Sequence, residues 1–227
     1  MNDRPPARIR VRRNPKKGHY DRVRIDAILD RAMVAHIAFI DKGEPVCIPM
    51  LFAYSDGRIH IHGSTASRAM RLLSRGEPAC LTVTLVHGLV LARSAFEHTV
   101  NYESAIAYGC FQAITDGDER LAALAAFTNK LVPGRFNEVR APNAKELKAT
   151  MILAMEIEGV SAKIRSGPPD DDDSEDAAME VWAGELPILS RLGEAIASPG
   201  LRAGIPLPES VRRLREAIGT FGRGERA

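Results

Sequence analysis

The run His62, Gly63, Ser64, Thr65, Ala66, Ser67 and Arg68 holds the residue types that grip a phosphate. A strand ending at His62 and a helix opening at Ser67 would aim free backbone N–H groups at an anion. The helix dipole would add positive potential there, and Arg68 a forked guanidinium. Gly63 would let the backbone approach closely. The same spacing also reads as an ordinary serine-capped helix, because Ser-x-x-Arg is a common pattern. Upstream, Pro49 lies in an apolar run and cannot donate to a β ladder. Its strand is therefore expected to leave an edge where a ligand can meet main-chain groups. His60 and His62 share one strand face, but spacing fixes no third ligand, so they read as a polar face and no metal site is expected. We find no Ser/His/Asp or Cys/His nucleophile arrangement, and no catalytic residue is assigned.

Positioning these residues takes many short strands. Period-two patterns mark residues 36–40, 46–54, 58–62 and 102–114, a hairpin of 79–86 and 89–92 about His87 and Gly88, and a last strand over 150–164. Helical spacing marks 24–32, a short helix through Met70, Leu72 and Leu73, 119–131, and 209–218. Turns between successive strands and few long helices predict a mainly β, α+β fold: an antiparallel barrel of six to seven strands with flanking helices. Residues 1–20 read as a flexible basic arm, 21–165 as the barrel domain, and 166–227 as an acidic loop and C-terminal extension with a terminal helix. The run Asp170, Asp171, Asp172, Asp173, Glu175 and Asp176 should be a solvated loop, since like charges repel and the glycine spacing of a calcium loop is missing.

The chain of 227 residues has a formal charge of +2, too small to favour nucleic acid despite the basic arm. Its most apolar stretch, 79–92, is interrupted by Thr82, Thr84, His87 and Gly88, and no membrane span is expected. Three cysteines, Cys47, Cys80 and Cys110, fit reduced thiols packed as small apolar residues in a cytoplasmic protein. Trp182 is expected to seal a barrel end.

An ordered set of segments then carries a resemblance. It comprises His36-Ile37-Ala38-Phe39, Pro45-Val46-Cys47-Ile48-Pro49-Met50, and His60-Ile61-His62-Gly63-Ser64 with Ser67-Arg68. It continues through Ala92-Arg93-Ser94-Ala95, Asn101-Tyr102-Glu103-Ser104, Pro133-Gly134-Arg135, Ala162-Lys163-Ile164-Arg165 and Trp182-Ala183-Gly184. In this order the chain resembles the FMN-binding split-barrel proteins of the pyridoxamine 5′-phosphate oxidase superfamily, in particular their nitroimidazole-resistance-like branch.

The resemblance implies a homodimer with an FMN at each subunit interface. It places the flavin ring against Cys47, Ile48, Pro49 and Met50, and the phosphate at Ser67 and Arg68, with His62, Gly63 and Ser64 just before them. Asn101 and Ser104 fall on polar positions near the flavin, and Lys163 and Arg165 would supply further charge. Two positions differ from relatives: Ala69 stands where the oxidase has lysine, and Glu103 where close relatives have arginine. The oxidase's substrate-phosphate residues have no counterpart, so pyridoxamine phosphate oxidation is not implied. The function implied is FMN-dependent oxidoreduction of a small-molecule acceptor. The alternatives are a non-catalytic flavin or haem carrier or sensor, or a haem-degrading protein with His60 or His62 as axial ligand.

Overall fold

The computed structural model describes residues 5–171 and 174–221. In chain order its elements are β1 (Gly18–His19), α1 (Arg22–Arg31), β2 (Val34–Asp41), β3 (Glu44–Ser55), β4 (Arg58–Ser64), α2 (Arg68–Leu73), β5 (Pro78–Leu91) and β6 (Thr99–Ala113). They continue with α3 (Gly117–Leu131), α4 (Ala144–Ala149), β7 (Thr150–Glu156), β8 (Gly159–Arg165), β9 (Gly184–Pro187) and α5 (Glu209–Phe221).

The strands run antiparallel in the order β1-β8-β6-β7-β4-β3-β2-β5-β9, and a further β5–β6 ladder closes six of them into a barrel. Alternation decides which side chains go in. Along β2, Ala35, Ile37 and Phe39 are buried while Val34, His36 and Ile40 face outward. The interior is filled by Phe52, Ile59, Ile61, Leu81, Val83, Phe111, Leu153 and Met155, all fully buried. Helix α1 plugs this core with Ile25, Ile28 and Leu29, apolar at i, i+3 and i+4. It starts where the Asp21 side chain accepts from the Arg24 N–H. A smaller cluster of Ile114, Ala123, Ile152 and Ala154 seats α3 on the outside of the barrel.

Six sequence expectations about the fold are corrected by the structure. Residues 79–92 form no hairpin: β5 is one strand, with a bulge between Val86 and Gly88, because a single long partner, β6, pairs with both halves. The strand expected over 150–164 breaks at Ile157 and Glu158, where its register against β6 shifts by one residue.

The basic arm, from residue 5 onward, packs down. Arg8 lies 4.5 Å over the Tyr108 ring, Val11 N–H donates to Tyr20 Oη, and Gly18 and His19 pair with β8. Nor is the acidic run wholly solvated. Asp171 is 1% exposed and accepts from the Arg93 amide at 2.7 Å and its guanidinium at 2.9 Å, a pairing that offsets the cost of burying the carboxylate. Asp172 and Asp173 lie outside the described residues.

Trp182 seals nothing in the single chain, being 65% exposed with its ring over Gly184, and Cys47 is exposed rather than packed. No helix among the described residues is long and apolar enough to cross a membrane.

Candidate functional site

The barrel is split where β3 and β4 part. Their ladder covers only Phe52–Ser55 of β3, opposite Arg58 to Ile61 of β4. Beyond it β4 turns away to pair with β7 through His62, Gly63 and Ser64. From Glu44 to Leu51, β3 is therefore paired only to β2, and its other edge has no strand partner among the described residues. Cys47, Ile48, Pro49 and Met50 lie on this free edge, with Ile48 and Met50 packed against the core and Cys47 and Pro49 exposed. Main-chain groups there have a hydrogen-bonding direction to spare.

The β4–α2 turn is largely self-satisfied. Thr65 N–H donates to Ala149 O, Ala66 N–H to Ser64 Oγ, Ser67 N–H to Ser64 O, and Met70 N–H to Ser67 Oγ. The amides of Arg68 and Ala69 keep no acceptor among the described residues. Gly63 has a different use from the one expected: a Cβ there would sit 2.8 Å from Met70 Cγ, so its bareness seats α2 on the barrel.

Arg68 reaches out and pairs with Asp41 at 2.8 Å. Beside that pair a cleft of about 720 Å³ runs between the β2–β3 turn and α2, lined by Lys42, Arg71, Arg75 and Glu77 among others. Arg71 and Arg75 were missed in the sequence, although Arg68 and Arg71 stand at i and i+3 on α2 and Arg75 follows in the turn after it.

The other expected site residues do not gather with these in one chain. Asn101 and Ser104 lie on β6, and Lys163 and Arg165 on β8, across β2 and β5 from the free edge. Ser104 Oγ donates to Lys163 O at 3.3 Å.

Arg165 corrects its expected role as a source of open charge. It is 6% exposed, and its guanidinium donates to Asn101 Oδ1, to Gly167 O and to Pro168 O, both carbonyls at 2.9 Å. Asn101 in turn donates to Gly167 O and to Glu185. Both side chains thus clasp the C-terminal extension to the barrel. Glu103 accepts from Arg31 and from His87.

The histidines of β4 form no polar surface. His60 is 3% exposed and neither ring nitrogen meets a hydrogen-bond partner of normal geometry; burial, assisted by the charge of Arg58, pushes its imidazole below the usual 6.5. His62 turns its ring to α3, edge-on to Phe127 with centroids 4.4 Å apart. Burial lowers its pKa too, and its Nδ1 is buried without a partner. A second cleft, of about 600 Å³, opens at this point between Leu51, His62 and α3. No group of three or more His, Cys, Asp and Glu among the described residues is placed to hold a metal ion.

Residues 21–164 match the pyridoxamine 5′-phosphate oxidase family. No curated protein matches the chain. Among solved structures, the chain is similar to the FAD and heme binding protein from Mycobacterium smegmatis, at 41% identity and TM-score 0.83, covering 87% of this chain and 96% of that one. It is also similar to the flavocytochrome Anf3 from Azotobacter vinelandii, at 34% identity and TM-score 0.86, covering 92% and 97%. A candidate 5-nitroimidazole antibiotic resistance protein from Bacteroides thetaiotaomicron shares the fold at 20% identity and TM-score 0.56, over 65% of this chain and 86% of that one. With its split six-stranded barrel and this match along most of its length, the chain belongs to the pyridoxamine 5′-phosphate oxidase family.

Proposed function

We propose that this chain is a flavin-binding redox protein, its ring site along the free edge of β3 and its phosphate site at Ser67 and Arg68. The observation that carries this reading is the parting of β3 from β4, which leaves one edge of Cys47 to Met50 without a strand partner among the described residues, beside a turn bearing an exposed arginine. A bound flavin would supply reversible electron transfer to a small-molecule acceptor. The protein's share is to orient the ring, hold its anion and exclude water.

The size of the nucleotide is the finer point. FMN follows from the family resemblance, but the cationic cleft beyond Arg68 has room for a second phosphate and a nucleoside. Two similar proteins are named for FAD or as a flavocytochrome. Both observations favour FAD. Titrating the apoprotein with riboflavin, FMN and FAD under flavin fluorescence tests it: affinities should rise in that order, and equal affinity for FMN and FAD would remove the adenosine from the reading.

The flavin would lie at a homodimer interface, because β3's free edge needs a second wall and Asn101, Ser104 and Lys163 stand apart from it in one chain. Val34, Ile40, Val86 and Phe96 are large apolar side chains left exposed and available to a second copy. Light scattering on the purified protein should give twice the chain mass. A second ligand, haem, is favoured by the names of both relatives and by the buried, unpartnered imidazole nitrogens of β4.

A further inference from the structure

We infer that the cleft between α3 and the parted strands holds the haem, with His62 rather than His60 as its axial ligand. The inference rests on the haem part of the reading above and is independent of the flavin part.

The cleft of about 600 Å³ falls in the size range of cofactor pockets, and its walls are apolar: Leu51, Leu124, Leu131, Phe136 and Leu147 among them. One imidazole enters this wall. Both ring nitrogens of His62 lack a hydrogen bond among the described residues, and the edge-on contact with Phe127 fixes the ring plane. An unpaired imidazole in an apolar wall is a cost that a lipid chain would leave standing and a haem iron would relieve. At the rim Arg140 is held by Glu146 at 2.5 and 2.8 Å, so the pocket has an apolar body and one polar edge, matching a macrocycle whose charged substituents lie on one side. His60 is sealed at 3% exposure and lines none of these clefts.

The test is titration of the apoprotein with hemin, read by visible spectroscopy. Wild type should saturate at one haem per chain with the shifted Soret band of an imidazole complex. H62A should lose that band, and added free imidazole should restore it, whereas H60Q should keep it. Should H62A fail to fold, H62Q, of nearly the same volume, replaces it. R68A should keep the haem spectrum while losing flavin nucleotide, which separates failure of the two readings. A wild-type spectrum in H62A and H62Q, or wild-type protein that takes up flavin or palmitate but no haem, overturns the assignment.

Discussion

Arg68 and Asp41 meet at 2.8 Å across the mouth of the cationic cleft, the arginine side chain 72% exposed and the aspartate 9%. A buried carboxylate thus pins an exposed guanidinium beside the free amides of α2 and the open edge of β3.

If that guanidinium holds the cofactor's anion, R68A should weaken FMN or FAD binding by about 10- to 100-fold, the range for a hydrogen bond to a charged group. Riboflavin, which has no phosphate, should be nearly unaffected. Isothermal titration with the three ligands reads the difference, and equal weakening for all would remove the phosphate from this turn.

The clasp of Arg165 on Asn101 makes a stability prediction. R165M leaves the buried Asn101 Oδ1 without its donor and takes one from the part-buried Gly167 and Pro168 carbonyls, at about 1–3 kcal/mol for each group not reached by water. Urea unfolding should show the loss, and N101A should behave similarly because the two side chains serve one network. A change of less than about 0.5 kcal/mol, the usual effect of a surface substitution, would mean that the clasp is open in solution.

The two histidines of β4 should make the fold acid-sensitive. Their folded pKa values lie below 6.5, so the unfolded chain binds protons that the folded chain refuses. Stability should be complete above about pH 6.5 and should decline below it. Urea midpoints at successive pH values should show this slope. H60Q and H62Q should flatten it, and an unchanged slope in both would acquit the histidines.

Lys130 works in the alkaline range. Its amine donates to Leu29 O at 2.7 Å and sits 3.8 Å over the Phe52 ring, and burial pulls its pKa from 10.5 to about 8. Between about pH 8 and 10.5 the unfolded chain carries the extra proton, so stability should rise with pH across that window. The rise should be missing from K130M. A wild-type rise in K130M would place its source elsewhere.

Glu138 caps α5 from outside: it accepts from Ser210 N–H at 3.0 Å and Ser210 Oγ at 2.5 Å, and also from Arg135. The Ser210 hydrogen bonds, with Arg135 adding, hold its pKa at about 2 against 4.5, so the cap should persist above 4.5 and fade as pH falls toward 2. E138A should free the helix, and limited proteolysis should then cut between residues 189 and 208 sooner than in wild type. Unchanged cleavage would show that α5 is held by other contacts.

Much of the fold was legible because alternation and helical spacing are local properties. Ala35, Ile37 and Phe39 against His36 announced the two faces of β2, and Asp21 before Ile25, Ile28 and Leu29 announced α1. The β4–α2 turn was legible as a Ser67 cap before Arg68, and Arg71 on the same helix could have been read from the same run. Misread elements were those decided by distant partners. His87 and Gly88 look like a turn until β6 supplies one continuous ladder, and residues 150–164 look like one strand until their register slips against it.

By itself, then, the sequence determined where most of the strand-forming segments lie, the proline at an open edge and the arginine after the cap, since period and backbone chemistry act within a few residues. Only the tertiary structure decided that β4 leaves β3 for β7, that Arg165 closes on Asn101, and that His62 faces an apolar cleft under α3. Those outcomes depend on which distant segments pack together, and the energy of burying a charge or an imidazole is defined only when its neighbours are in place.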